Sequence, residues 1–157
     1  MVQRRDIRHL GKLDIAVAGP APRGVLFLCV GNSARSQMAE GWARRLFPAG
    51  VKVFSAGSQP AARVNPHAVA AMAEVGIDLA GHRPKPLSEV PADEVDLVVT
   101  LCAEEVCPAG LLARPHDSWA LPDPAAVPEG SSAIDVVFRR VRDELRRRVE
   151  LMVAGWR

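Results

Sequence analysis

From position 24 onward, short unbroken apolar runs alternate with segments in which apolar residues recur every three or four positions. GVLFLCV (24–30), VKVFSAG (51–57) and VDLVVTLC (95–102) lack polar alternation, as expected of strands covered on both faces, and HDSWAL (116–121) is a weaker fourth run. Between them, Met38, Trp42, Ala43, Leu46 and Phe47 fall at helical spacing, as do Val69, Met72, Ala73 and Ile77, with Gly76 near the stop. A last helix is predicted over 132–153, with Val136, Val137, Val141, Leu145, Val149 and Met152 on one stripe. Short strands alternating with helices predict an α/β domain with a parallel sheet. The stretch GHRPKPLSEVP (81–91) reads as a loop kept out of regular structure by its prolines.

Composition narrows this picture. A chain of 157 residues, 48% hydrophobic and 24% charged, is long enough to bury the core of a single domain. Its net charge of +2 is unevenly placed: residues 1–23 carry five basic and two acidic side chains, so they read as a basic N-terminal extension to a domain spanning 24–157. Arg139, Arg140, Arg142, Arg146, Arg147 and Arg148 cluster, but Asp143, Glu144 and Glu150 lie among them, which predicts a solvated helix face. With no Tyr and 4% aromatics, a nucleic-acid partner is not expected. No run approaches the length of a membrane span or the apolar core of a signal peptide, so the cytoplasm is the expected compartment. There Cys29, Cys102 and Cys107 meet a reducing thiol pool, which favours a reactive, redox or metal role over a static disulfide.

The chemistry starts where the first strand ends, at CVGNSARS (29–36). A Cys with an Arg six positions later carries little information alone; its setting carries more. Gly31, Asn32 and Ser33 permit a tight loop, and a helix beginning near Ala34 aims free N–H groups back into it. The amides of Val30, Gly31, Asn32, Ser33, Ala34 and Arg35 would then cradle a tetrahedral oxyanion, with the Arg35 guanidinium as a forked clamp. The same field favours a thiolate at Cys29, giving a nucleophile at neutral pH without a histidine base. The plainer reading is a buried strand-end cysteine with a structural arginine. Cys102 and Cys107, with four residues between them, admit three readings. They could ligate zinc with Cys29 and His116, sit as apolar bystanders before Pro108, or form a redox relay.

CVGNSARSQMAEGW resembles the signature of the arsenate reductases built on the low-molecular-weight protein tyrosine phosphatase fold. The resemblance extends through VFSAG, NPHAVAAMAEVGID, DLVVTLC and LPDPA, over about residues 24–157. It implies a four-stranded parallel sheet in the order 2-1-3-4 with helices on both faces. In that order strands one and three are neighbours and ligands bind beyond their carboxyl ends, so Cys29, Cys102 and Asp123 are expected on one rim. By the same resemblance Cys29 is the nucleophile, Arg35 the oxyanion clamp, Ser36 a donor to the thiolate and Asn32 the residue shaping the loop. Asp123 is the general acid. A thiol-arsenate on Cys29 would be reduced through Cys29–Cys102 and then Cys102–Cys107 disulfides, with thioredoxin or another thiol donor closing the cycle. No metal or bound cofactor is implied, and a monomer is expected. The Cys-x5-Arg core is shared with the phosphatases, so hydrolysis of phosphate monoesters through a phospho-Cys29 intermediate is the alternative. A non-enzymatic oxyanion-binding module is a third.

Two departures stand out against the family pattern. The relay cysteines commonly enclose six residues, and here they enclose four. Lys85 lies near a position where potassium-binding members carry a carboxylate, while Asn32, Glu40 and Ser55 match the rest of that site. The Lys85 ammonium either takes the place of the cation or points into solvent.

Overall fold

The computed structural model describes residues 19–102 and 115–157. Four strands, β1 (Gly24–Cys29), β2 (Lys52–Gly57), β3 (Leu97–Thr100) and β4 (His116–Ser118), form one sheet in the order β2-β1-β3-β4. All pairings are parallel, with Cys29 opposite Gly57, Leu28 opposite Thr100 and Thr100 opposite Ser118. The expected strand order is therefore observed. The third strand is shorter than its apolar run: Cys102 lies two residues beyond β3, although Leu101 N–H still donates to the Leu28 carbonyl at 2.9 Å and prolongs the ladder.

Three helices, α1 (Arg35–Leu46), α2 (Pro66–Ala73) and α3 (Ile134–Ala154), share one core with Val25, Phe27, Cys29, Leu97 and Val99. Those residues alternate along their strands with Leu26, Leu28 and Val98, which face the other way and pack with Ala56 and Val95. Leu87 and Val90 cover that second cluster from a segment containing two short 3-10 turns, Leu87–Glu89 and Ala92–Glu94. Helical cover, expected on both faces, thus lies on one face among the described residues. The proline-rich loop is also more ordered than its composition suggests, because Gly57 N–H donates to the Lys85 carbonyl and bridges β2 to Pro86.

Two helical stripes differ from the pattern read in the sequence. On α2 the buried residues are Ala68, Ala71 and Met72, whereas Ala73 is exposed and Ile77 lies beyond the helix. On α3 the stripe runs Ile134, Phe138, Val141, Arg142, Leu145, Val149 and Met152, and Val136 is 43% exposed. Counting apolar residues pulled the stripe toward Val136. The neighbouring helices α1 and α2 instead select the face carrying Phe138, whose ring lies 5.4 Å from the His67 ring of α2 and gains more from burial than a valine.

Candidate active site

Residues 30–34 bridge the end of β1 and the start of α1, and their shape depends on Asn32. Asn32 has φ +47°, the sole positive φ at a non-glycine among the described residues, and Asn tolerates this left-handed geometry better than most. Its carbonyl and Oδ1 both accept from Gln37 Nε2, at 3.1 and 3.2 Å, and Oδ1 also accepts from the Lys85 amide at 3.0 Å. The carbonyls of Val30, Gly31 and Ser33 accept from the amides of Gln59, Ala61 and Asn65, each at 2.9 Å. A trans peptide sets its carbonyl and N–H on opposite sides, so fastening these carbonyls outward turns the following N–H groups the other way. The amides are thereby left for an anion, at the positive end of α1.

The sulfur of Cys29 lies 2.9 Å from Ser36 Oγ, which in turn accepts from Asn32 Nδ2 at 2.7 Å. A Cys29 thiolate can only accept, so in that state the single hydroxyl proton of Ser36 is directed at the sulfur while its oxygen accepts from Asn32. Cys29, Asn32 and Ser36 are all buried. Arg35 is also buried; its Nη1 donates to the Leu121 carbonyl at 3.1 Å, and its Nη2 stands 3.9 Å from Asp123 Oδ2. Asp123 caps the turn Pro124–Ala126 by accepting from the Ala125 amide at 2.9 Å, and its side chain remains 46% exposed. The other carboxylate oxygen is left facing the arginine.

Cys102 is buried just past β3, on the same sheet rim as Cys29. Leu121 N–H donates to the Leu101 carbonyl at 3.1 Å, which carries Asp123 to that rim as well. Cys107 lies outside the described residues. Behind the loop, Lys85 turns inward instead of into solvent. Its ammonium donates to Ser55 Oγ at 3.2 Å and to the Arg83 carbonyl at 3.3 Å, and lies 3.8 Å from Glu40 Oε1. Burial lowers the Lys85 pKa, opposed by the Glu40 carboxylate. With a fixed positive charge already among these oxygens, the cluster does not fit a potassium ion.

Three participants escaped the sequence reading as site residues. Gln37 and His82 meet across 45 positions at 3.1 Å, and neither carries a local signal because the partner of each is set by the fold. Gly57 is required by space: a Cβ there would overlap the Val30 carbonyl oxygen and lie 2.8 Å from that of Cys29.

A family model described as low molecular weight phosphotyrosine protein phosphatase matches residues 24–155. An arsenate reductase of Halalkalibacterium halodurans is 43% identical over 128 residues, covering 80% of this chain and 91% of that one. A solved arsenate reductase in a phosphate-binding state superposes with a TM-score of 0.73 at 37% identity, covering 84% of this chain and 97% of the other. A thioredoxin-dependent arsenate reductase of Corynebacterium glutamicum superposes with a TM-score of 0.61 at 31% identity, covering 91% and 68%. A buried cysteine at the base of an anion-ready loop, on a 2-1-3-4 parallel sheet, is thus found on a chain that belongs to the low-molecular-weight phosphotyrosine protein phosphatase family, among relatives that are arsenate reductases.

Proposed function

We propose that this protein reduces arsenate to arsenite, with Cys29 as nucleophile and a thiol reductant as electron source. The observation that carries the reading is Cys29 at the base of the loop, hydrogen-bonded to Ser36, beside Arg35 and on the same rim as a second buried thiol, Cys102. The Cys29 thiolate attacks arsenic(V) in the cradle formed by residues 30–35, and one arsenic oxygen leaves as water with a proton from Asp123. Cys102 then attacks the Cys29 sulfur. The S–As bond breaks with both electrons moving to arsenic, so arsenite departs and a Cys29–Cys102 disulfide remains. Cys107 attacks Cys102, frees Cys29 and leaves a Cys102–Cys107 disulfide for an external dithiol to reduce. Thioredoxin in the cytoplasm is the proposed donor, supported by the thioredoxin-dependent relative. No bound cofactor takes part in this scheme. The Lys85 ammonium acts as an internal counter-charge to Glu40.

The family match also favours a second reading, hydrolysis of phosphate monoesters through phospho-Cys29, which needs Asp123 but neither Cys102 nor Cys107. One experiment separates the two. Arsenate-dependent NADPH consumption is followed with thioredoxin and its reductase, beside a glutathione and glutaredoxin arm, and aryl phosphate hydrolysis is measured in parallel. Cys29→Ser is expected to abolish both activities. Cys102→Ser and Cys107→Ser should each stop multiple-turnover reduction while sparing slow hydrolysis; survival of reduction in both variants would make the two thiols bystanders, and wild-type hydrolysis without arsenate reduction would assign the protein to the phosphatase reading.

A further inference from the structure

We propose that His82 is a positioning residue for the nucleophile, acting through the Nδ1 atom at the head of a hydrogen-bond chain His82–Gln37–Asn32–Ser36–Cys29; the inference rests on Cys29 being the nucleophile. The direction of each bond follows from what the partner atoms can do. Gln37 is fully buried in the first turn of α1. Its Nε2 faces three oxygens, the Asn32 carbonyl at 3.1 Å, Asn32 Oδ1 at 3.2 Å and the Arg83 carbonyl at 3.1 Å. None of these can donate, so the amide nitrogen must lie on that side. Gln37 Oε1 is consequently the atom that meets His82 Nδ1 at 3.1 Å. Two facing lone pairs would repel, so Nδ1 carries the proton. Glu40 Oε2, 3.6 Å from the same nitrogen, is beyond hydrogen-bond distance, but its charge also favours a proton there. Burial lowers the His82 pKa, leaving a neutral imidazole at pH 7 with its proton on Nδ1.

Beyond Gln37 the chain keeps one polarity. Gln37 donates to Asn32, Asn32 donates to Ser36, and the remaining Ser36 proton faces the Cys29 sulfur. Hydrogen bonds that run head to tail in a buried site polarise one another, and here every one of them points its positive end toward the thiolate. His82 closes the far end by satisfying the one acceptor of the Gln37 amide that Asn32 and Arg83 do not engage. Without it a buried carbonyl oxygen loses its donor, and Gln37 is released to rotate away from Asn32, whose left-handed backbone sets the aim of Ser36. Lys85, which fastens Asn32 Oδ1 through its amide, holds a different lone pair and cannot replace this contact.

The position of the atom gives the test its specificity. Asparagine carries Nδ2 on Cγ, where histidine carries Nδ1, whereas glutamine moves its nitrogen one atom outward. In the full chain at pH 7, alkylation of the Cys29-containing peptide by iodoacetamide is followed by mass spectrometry, beside kcat and KM for arsenate. His82→Leu and His82→Gln are expected to slow Cys29 alkylation and lower kcat/KM by about tenfold, in the range for stranding a buried acceptor, while His82→Asn stays within about twofold of wild type. The pH profile of alkylation should move upward in the first two variants. In a Gln37→Met background, where no acceptor is left for His82 to satisfy, His82→Leu should change alkylation by less than about twofold. Equal behaviour of the Asn and Gln variants, which are matched in polarity and nearly matched in size, would overturn the proposal, as would an undiminished His82→Leu effect in the Gln37→Met protein. A wild-type Cys29 no more reactive than free cysteine would instead bring down the nucleophile assignment and this inference with it.

Discussion

Gly57 and Asp123 show how single atoms bound the chemistry of this loop. The three atoms nearest an added Cβ at Gly57 are all backbone, the Val30 and Cys29 carbonyl oxygens and Asn32 N, none of which can swing aside as a flexible side chain would. Gly57→Ala is expected to lower the melting temperature by several degrees, since overpacking typically costs about 1–3 kcal/mol, and to reduce arsenate turnover at least about tenfold. Thermal denaturation read beside kinetics checks this; unchanged turnover would show that the loop shifts without consequence. Asp123 offers a cleaner substitution because asparagine retains the Oδ1 that accepts from Ala125 N–H. Asp123→Asn therefore removes the acid while keeping the cap. The expected result is a kcat lowered about 10²- to 10⁴-fold with oxyanion affinity nearly unchanged, measured as inhibition by inorganic phosphate. A loss confined to affinity would transfer the proton to another group.

At the scale of elements, the join between α2 and α3 is electrostatic where it meets solvent and apolar beneath. Glu74, which caps the C-terminus of α2, accepts from Arg139 Nε at 2.9 Å and from Arg142 Nη1 at 2.6 Å, and Arg142 Nη1 also donates to the Ala71 carbonyl at 2.9 Å. Hydrogen bonds from Arg139 and then Arg142 hold the Glu74 carboxyl down to a pKa of about 2, against its ordinary 4.5. A carboxyl whose folded pKa is depressed stabilises the fold fully above its unfolded pKa, and the contribution is lost as pH falls through the folded value. Between pH 4.5 and about 2, wild type should therefore lose stability that a Glu74→Gln variant never had. Their melting temperatures, separated at pH 7, should converge on acidification, with solvent screening keeping the separation small. Parallel curves down to pH 2 would assign acid sensitivity to other groups. The arginine cluster on α3 has a related explanation. Arg146 pairs with Glu150, and Arg147 and Arg148 pair with Glu144, so much of its charge is neutralised along the helix; the face is not solvated throughout, because Arg142 is buried on the core stripe and Arg148 lies over the Trp119 ring.

In the whole molecule, several chain segments meet behind one loop. Lys85 arrives from the proline-rich stretch, Ser55 from β2 and Glu40 from α1, and Ser55 Oγ donates to Glu40 Oε1 at 2.5 Å while accepting from the Lys85 ammonium. On the reading that the Lys85 ammonium is the counter-charge to Glu40, no free cation is needed there. Its melting temperature and turnover are expected to be the same in potassium and sodium at equal ionic strength, and Lys85→Asp should create a preference for potassium. Selective stabilisation of wild type by potassium would exclude the surrogate, because an ammonium and a potassium ion cannot occupy one site.

How far the site could be read ahead of the fold depends on the range of each interaction. Cys29, Ser36 and Arg35 lie within one loop and one helical turn, so their meeting follows from local geometry, and the apolar runs around them specify parallel strands because burial on both faces leaves no alternation. The resemblance to the family added the roles and the strand order. Cys102 and Asp123 were placed on the rim from that order, and the register puts them there. Periodicity is less informative for the faces of α2 and α3, since a helix with apolar residues on more than one side is oriented by the surface it meets; only the packing of α3 on α1 and α2 separates Val136 from Phe138. The chain by itself thus determined the strands, the loop and the meeting of Cys29, Ser36 and Arg35 within it. Tertiary structure alone decided that Lys85 points inward, that Gly57 must lack a side chain and that His82 stands behind Gln37, because each is a contact between segments distant in sequence whose chemistry exists only once packing brings them together.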